Sequence, residues 1–133
     1  MSNMPNPKKR FSFTPTHKTT QEILTDHKLA ALGDAYTNLV YSLYISTKTG
    51  RPAGGKADGH MLSQALKQAG LRNLLGSRVD RHKQADAAEA LLVYVWLQGL
   101  TTIRESVGIL IEHEDVVEAF SFLLSKANKR LNL

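Results

Sequence analysis

No cysteine occurs among the 133 residues. Its absence excludes disulfide frameworks, thiolate zinc sites and cysteine nucleophiles together, and it suits a reducing cytoplasm, which is the expected location. No run approaches the roughly 20 apolar residues of a membrane span. The N-terminus is polar and proline-containing rather than a charged leader followed by an apolar stretch, so neither membrane insertion nor export is expected. Proline is scarce beyond the start: three of the four lie within residues 1–18, together with a Lys-Lys-Arg run and no helical period. That segment reads as a basic, flexible arm, leaving residues 19–133 as one domain. With 42% apolar residues, a chain of this length can bury one core without cross-links.

Acids are also in short supply, 12 against 17 lysines and arginines, for a formal charge of +5. Lys8, Lys9, Arg10 and Lys18 precede the first acid, and Arg72, Arg78, Arg81 and Lys83 crowd a second segment. A polyanion is one partner that would suit these clusters; a solvated tail and helix end is the other reading, and charge alone does not separate them.

Strand patterns are missing from the whole chain, and the periodicity predicts an all-α fold of about six helices. The first is expected over 20–31. The second starts near Gly33-Asp34 and runs to Thr47, with Tyr36, Leu39, Val40, Leu43 and Tyr44 on one stripe. Asp58 is placed to cap a third helix, over 59–69, and Gly70 ends it. A short turn at 71–76 leads to a long helix over 80–98. A fifth helix opens at a Thr cap in "TTIRESVGILIEHE", and the sixth is "DVVEAFSFLLSKANKRL", with Lys126, Lys129 and Arg130 in its last turn, where the helix dipole favours cations.

The connection "GRPAGGKADGH", residues 50–60, has the glycine and lysine spacing of a phosphate-binding loop, but Ala57 stands where a magnesium-binding hydroxyl belongs. Such a loop also joins a strand to a helix, whereas the preceding element here is helical. No nucleotide cofactor is therefore expected.

The long helix holds Asp86 and Glu89 three residues apart, projecting from one face about 60° apart. From Ala87 to Leu97 it is apolar on every side except at Glu89, the pattern of a helix buried in a core. An ionised carboxylate there needs a cation, hydrogen bonds or a metal. Arg81 and Lys83 are near in sequence, so an ion-pair network and a metal or acid/base site are both open readings. Asp34 follows Gly33, which permits close approach of two backbones, and at a helix start its charge suits the dipole.

Leu29-Ala30-Ala31-Leu32-Gly33-Asp34-Ala35 and Asp86-Ala87-Ala88-Glu89-Ala90-Leu91 together resemble the ribonuclease III endonuclease domain, whose signature reads approximately Leu-Glu-Phe-Leu-Gly-Asp-Ala followed later by Asp-Ala-x-Glu-Ala. Asp58-Gly59-His60-Met61 is similar to the family's Glu-Gly-x-Met/Leu segment. The likeness spans residues 20–112. It departs at Ala30, where the signature has glutamate, at Ala31, where it has an aromatic, and at His27, where many members carry an acid. The compact Mini-ribonuclease III group is similar to this chain at the first of these.

This resemblance implies an endoribonuclease that cuts double-stranded RNA with Mg²⁺, or Mn²⁺, and leaves 5′-phosphate and 3′-hydroxyl ends. Asp34 and Glu89 would be the principal ligands and catalytic acids, Asp86 the next, and Asp58 a fourth or only a helix cap. It also implies a homodimer. Oxygen ligands of this kind select Mg²⁺ or Mn²⁺ over zinc. Duplex RNA is recognised through shape and phosphates, which makes Arg51, Lys56, Arg78, Arg81 and Lys83 the expected contacts. With Leu133 the last residue, RNA grip is expected from this domain. The alternative is a non-catalytic or weakly active RNA-binding or ribosome-associated protein on the same scaffold, motivated by Ala30.

Overall fold

Threonine and aspartate caps set the boundaries of the helices. In the computed structural model, which describes residues 11–133, Thr19 opens α1 (Thr20–Leu24) through a capping box with Glu22. Asp26 then opens α2 (His27–Thr49), its carboxylate accepting from the backbone N–H of Lys28 and Leu29 at 3.0 Å each. Asp58 caps α3 (Gly59–Gln68), Asp80 caps α4 (Arg81–Leu97), Thr102 caps α5 (Ile103–Glu112) and Asp115 caps α6 (Val116–Leu131). A 3₁₀ turn, Arg72–Leu75, separates α3 from α4. Six helices and no strand make up the described residues, as the periodicity predicts.

The start of the helical part differs from the expectation. Periodicity extends the first helix to residue 31 and begins the second at Gly33-Asp34; instead the break falls at Thr25-Asp26, and α2 runs without interruption through Gly33. Asp26 satisfies two orphan N–H groups, which is a stronger start signal than a glycine. Asp34 is therefore an interior residue of α2 and not a helix-start residue.

Helix α4 is the centre of the core. Every residue from Ala87 to Val95 is buried, and α1, α2, α3 and α6 all pack on it. Leu91, Val93 and Leu97 are fully enclosed, each worth about 1.5–3 kcal/mol of burial. Alanines at 85, 87, 88 and 90 keep this helix thin enough for four neighbours. Helix α2 crosses it at close range at Gly33. A Cβ added there would stand 2.2 Å from the Glu89 carbonyl oxygen, so only glycine allows the two backbones to meet at this depth.

The expected apolar stripe of α2 divides in two. Tyr36, Val40 and Tyr44 enter the core, whereas Leu39 and Leu43 remain 48% and 38% exposed. Residues 11–18 lie against the domain: Phe11 is 6.0 Å from Trp96 between ring centroids, Thr14 is buried, and His17 donates its backbone N–H to the Tyr94 hydroxyl at 3.2 Å. His17 Nε2 also pairs with Asp26 Oδ2 at 2.9 Å, tying this segment to the start of α2. Residues 1–10, which hold the Lys-Lys-Arg run, are outside the described residues.

Candidate metal centre

The Gly33 crossing decides what Asp34 and Glu89 can do. Glycine draws the Glu89 backbone onto α2, and the next residue, Asp34, carries its carboxyl to within hydrogen-bonding reach of the Glu89 side chain. Glu89 is 6% exposed; Asp34 and Asp86 sit at the surface around it. The Glu89 carboxyl is pushed up to about 8, first by burial, then by the hydrogen bond and charge of Asp34, then by the charge of Asp86; Lys56 opposes these effects. Burial and the two neighbouring acids thus favour the protonated form of Glu89.

A centre with this surplus of negative charge is suited to a cation. Two carboxylates in contact meet the usual requirement of Mg²⁺, which takes one or two protein carboxylates and completes its octahedron with water and substrate phosphate oxygens. Among the described residues no group of three or more His, Asp or Glu side chains converges as a closed cage. Asp34 and Glu89 are the two carboxyls brought together, with Asp86 beside them, and a cation held there would draw its remaining oxygens from water or a phosphate.

Asp58 is placed otherwise. One oxygen of its carboxylate accepts from the His60 N–H at 2.9 Å as the N-cap of α3, and the start of α3 abuts Ala85 beside Asp86. The cations are also redistributed. Arg81 and Lys83 are the nearest cations to Glu89 along the chain, yet the lysine felt by Glu89 is Lys56, delivered by the loop between α2 and α3. Arg51, Arg78 and Arg81 are exposed, Arg78 with a left-handed φ of 61° in the turn before α4. Lys83 lines a cavity of about 220 Å³ together with His27, Ala30 and Asp86. Ala30, one turn before Asp34, thus leaves open space next to Asp86.

The feature that sequence reasoning missed is the fastening of that loop. Residues 34, 38, 42 and 46 follow one another at intervals of four along α2. Asn38 donates to Asp34 Oδ1 at 3.3 Å and accepts from the Ala57 N–H at 2.8 Å. Ser42 Oγ accepts from the Gly55 N–H at 2.9 Å and donates to the Gly55 carbonyl at 3.0 Å. Ser46 Oγ accepts from the Ala53 N–H at 2.9 Å. Gly55 lies so close to α2 that a Cβ would come within 2.7 Å of Ile45 Cδ1. The signal was a polar i, i+4 ladder on a mostly apolar helix, and the loop it grips is the one with the phosphate-loop spacing. That loop starts at the left-handed Gly50 cap of a helix rather than at a strand.

Comparison with known families adds one match. A family model described as Ribonuclease III matches residues 27–132. It covers Asp34, Asp58, Asp86 and Glu89. No match to a curated protein was found.

Proposed function

The chain belongs to the ribonuclease III family, and on that premise we propose that it is a Mg²⁺-dependent endoribonuclease that cuts double-stranded RNA. The observation that carries this reading is the Asp34–Glu89 carboxyl pair, held together by the backbone crossing at Gly33 and by burial. A divalent cation there would supply a water of lowered pKa and positive charge against the phosphate. Asp34 and Glu89 would hold it, and Asp86 would add negative charge at its edge. A water oxygen forms the new bond to phosphorus, the bond to the 3′ oxygen breaks, and a 3′-hydroxyl and a 5′-phosphate remain. Mn²⁺ would serve the same oxygen ligands.

Duplex RNA presents phosphates, and Arg51, Lys56, Arg78, Arg81 and Lys83 are available to meet them. Cutting both strands calls for two sites, which supports a homodimer. Leu32, Leu39 and Leu43 are 39%, 48% and 38% exposed and fall within about 40° of one another around α2, with Phe13 61% exposed, so an apolar strip is available for a second protomer. The cytoplasm is the proposed compartment.

The test is duplex RNA incubated with and without Mg²⁺, using the wild type, Asp34→Asn and Glu89→Gln. Metal-dependent cutting lost in both variants is expected. Binding without cutting would overturn the enzyme reading in favour of an RNA-binding protein, the reading favoured by Ala30. Sedimentation analysis of the wild type beside Leu39→Glu checks the dimer.

A further inference from the structure

The loop of residues 50–58 has no secondary structure of its own and is nevertheless fastened along α2 at three backbone positions. Ser46 holds Ala53, Ser42 holds both polar groups of Gly55, and Asn38 holds Ala57. Between the last two clamped residues stands Lys56, exposed to solvent, its ammonium close enough to Glu89 to favour the ionised carboxylate. The chain of contacts continues without a gap: Ala57 is bound by Asn38, and Asn38 in turn is bound to Asp34 of the acid pair. One helix face therefore holds both Asp34 of the acid pair and the loop backbone on either side of Lys56.

We infer that Lys56 is a charge-stabilising contact to the scissile phosphate, and that the Asn38–Ser42–Ser46 ladder is the device that positions it. This inference rests on the endoribonuclease reading. A flexible lysine on a free loop would contribute to RNA affinity alone, because it meets ground state and transition state alike. A lysine whose backbone is clamped on both sides, beside the reacting centre, acts differently. During attack by water the non-bridging phosphate oxygens gain negative charge, and a preorganised ammonium stabilises that charge without reorganising. The water oxygen bonds to phosphorus, the electron pair of the breaking bond stays on the 3′ oxygen, and that oxygen takes up a proton in place of the one the attacking water releases. Lys56 gives up no proton in this scheme.

The experiment compares the wild type, Lys56→Met, Lys56→Arg, the double variant Ser42→Ala/Ser46→Ala and Lys67→Met, the last an exposed lysine at the end of α3 serving as the control. Alanine is a better helix former than serine, so the double variant keeps α2 while releasing the loop. Expected for Lys56→Met is a fall in kcat of about 10²-fold, with KM rising by no more than about tenfold from the lost phosphate contact. Lys56→Arg should recover part of it. The double variant should lose kcat while keeping Lys56, and should exchange the Ala53 and Gly55 amide hydrogens faster. A loss confined to KM in Lys56→Met, or a kcat equal to that of Lys67→Met, would overturn the inference. Duplex binding measured against salt without metal separates this outcome from failure of the endoribonuclease reading. If the wild type does not cut, the slope of log affinity against log salt still decides: a decrease of about one in Lys56→Met supports the phosphate contact, and an unchanged slope overturns it.

Discussion

Replacing Gly33 by alanine sets two physical effects of opposite sign against each other. Gly33 lies inside α2, where alanine is ordinarily favoured by about 1 kcal/mol. The new Cβ, however, would lie 2.2 Å from the Glu89 carbonyl oxygen, 2.5 Å from its carbonyl carbon and 3.1 Å from the Ala90 nitrogen. These are backbone atoms of the most buried helix, so relief requires α2 and α4 to separate, against packing that costs about 1–3 kcal/mol or more to disturb. We expect a net loss of roughly 2 kcal/mol by urea unfolding, or a fall in Tm of several degrees for a domain of this size. Gly108 provides the control: it lies in α5 with no atom within 4 Å of the place its methyl group would take, so Gly108→Ala should gain up to about 1 kcal/mol. The separation should also move Asp34 away from Glu89, and the Glu89 carboxyl, followed by carbon NMR, should titrate below about 8. A Gly33→Ala protein stabilised to the same degree as Gly108→Ala, with Glu89 unmoved, would refute the close crossing and with it the placing of the acid pair.

Three further outcomes are expected. Glu89 holds a proton in the folded protein up to about pH 8, whereas an ordinary glutamate releases it near 4.5, so without metal the fold should lose stability as pH rises from about 4.5 to 8, by on the order of 5 kcal/mol; Glu89→Gln should flatten that dependence in unfolding curves. Glu105 behaves in the opposite sense: Arg130, bonded to both its oxygens at 2.7 and 2.6 Å, and Lys126 at 3.4 Å hold its carboxyl down to about 2. Its contribution is complete above pH 4.5 and lost as pH falls towards 2; because the pair is partly exposed we expect about 1–2 kcal/mol, absent in Glu105→Gln. Ala30→Glu should place a carboxyl in the 220 Å³ cavity beside Asp86 and Lys83, raising Mn²⁺ affinity about tenfold by calorimetry while lowering metal-free stability by about 1–3 kcal/mol; unchanged affinity would show that the cavity does not open on the acid centre.

The helical class, the number of helices and the burial of the long helix are legible in the sequence because they depend on local periodicity and on caps. Glu89 in the run from Ala87 to Leu97 can be recognised as a buried acid, since no position from Ala87 to Val95 faces water. The start of α2 is harder to place because two start signals lie seven residues apart. Asp26 prevails through two backbone hydrogen bonds, and Gly33 is there for a contact with another helix. Propensity treats that glycine as a boundary; packing treats it as a gap to be filled.

The partner of Glu89 shows the same limit. Arg81 and Lys83 are close along the chain, but the cation that reaches Glu89 is Lys56, more than thirty positions away, brought by hydrogen bonds from Asn38, Ser42 and Ser46 to loop backbone. Residue types and spacing thus determined that this chain would fold as helices around one apolar helix bearing an acid. Which groups surround that acid, and how near, followed from where two backbones can touch and which loop is tied down. Those are distances through space between residues far apart in the chain, and only packing sets them.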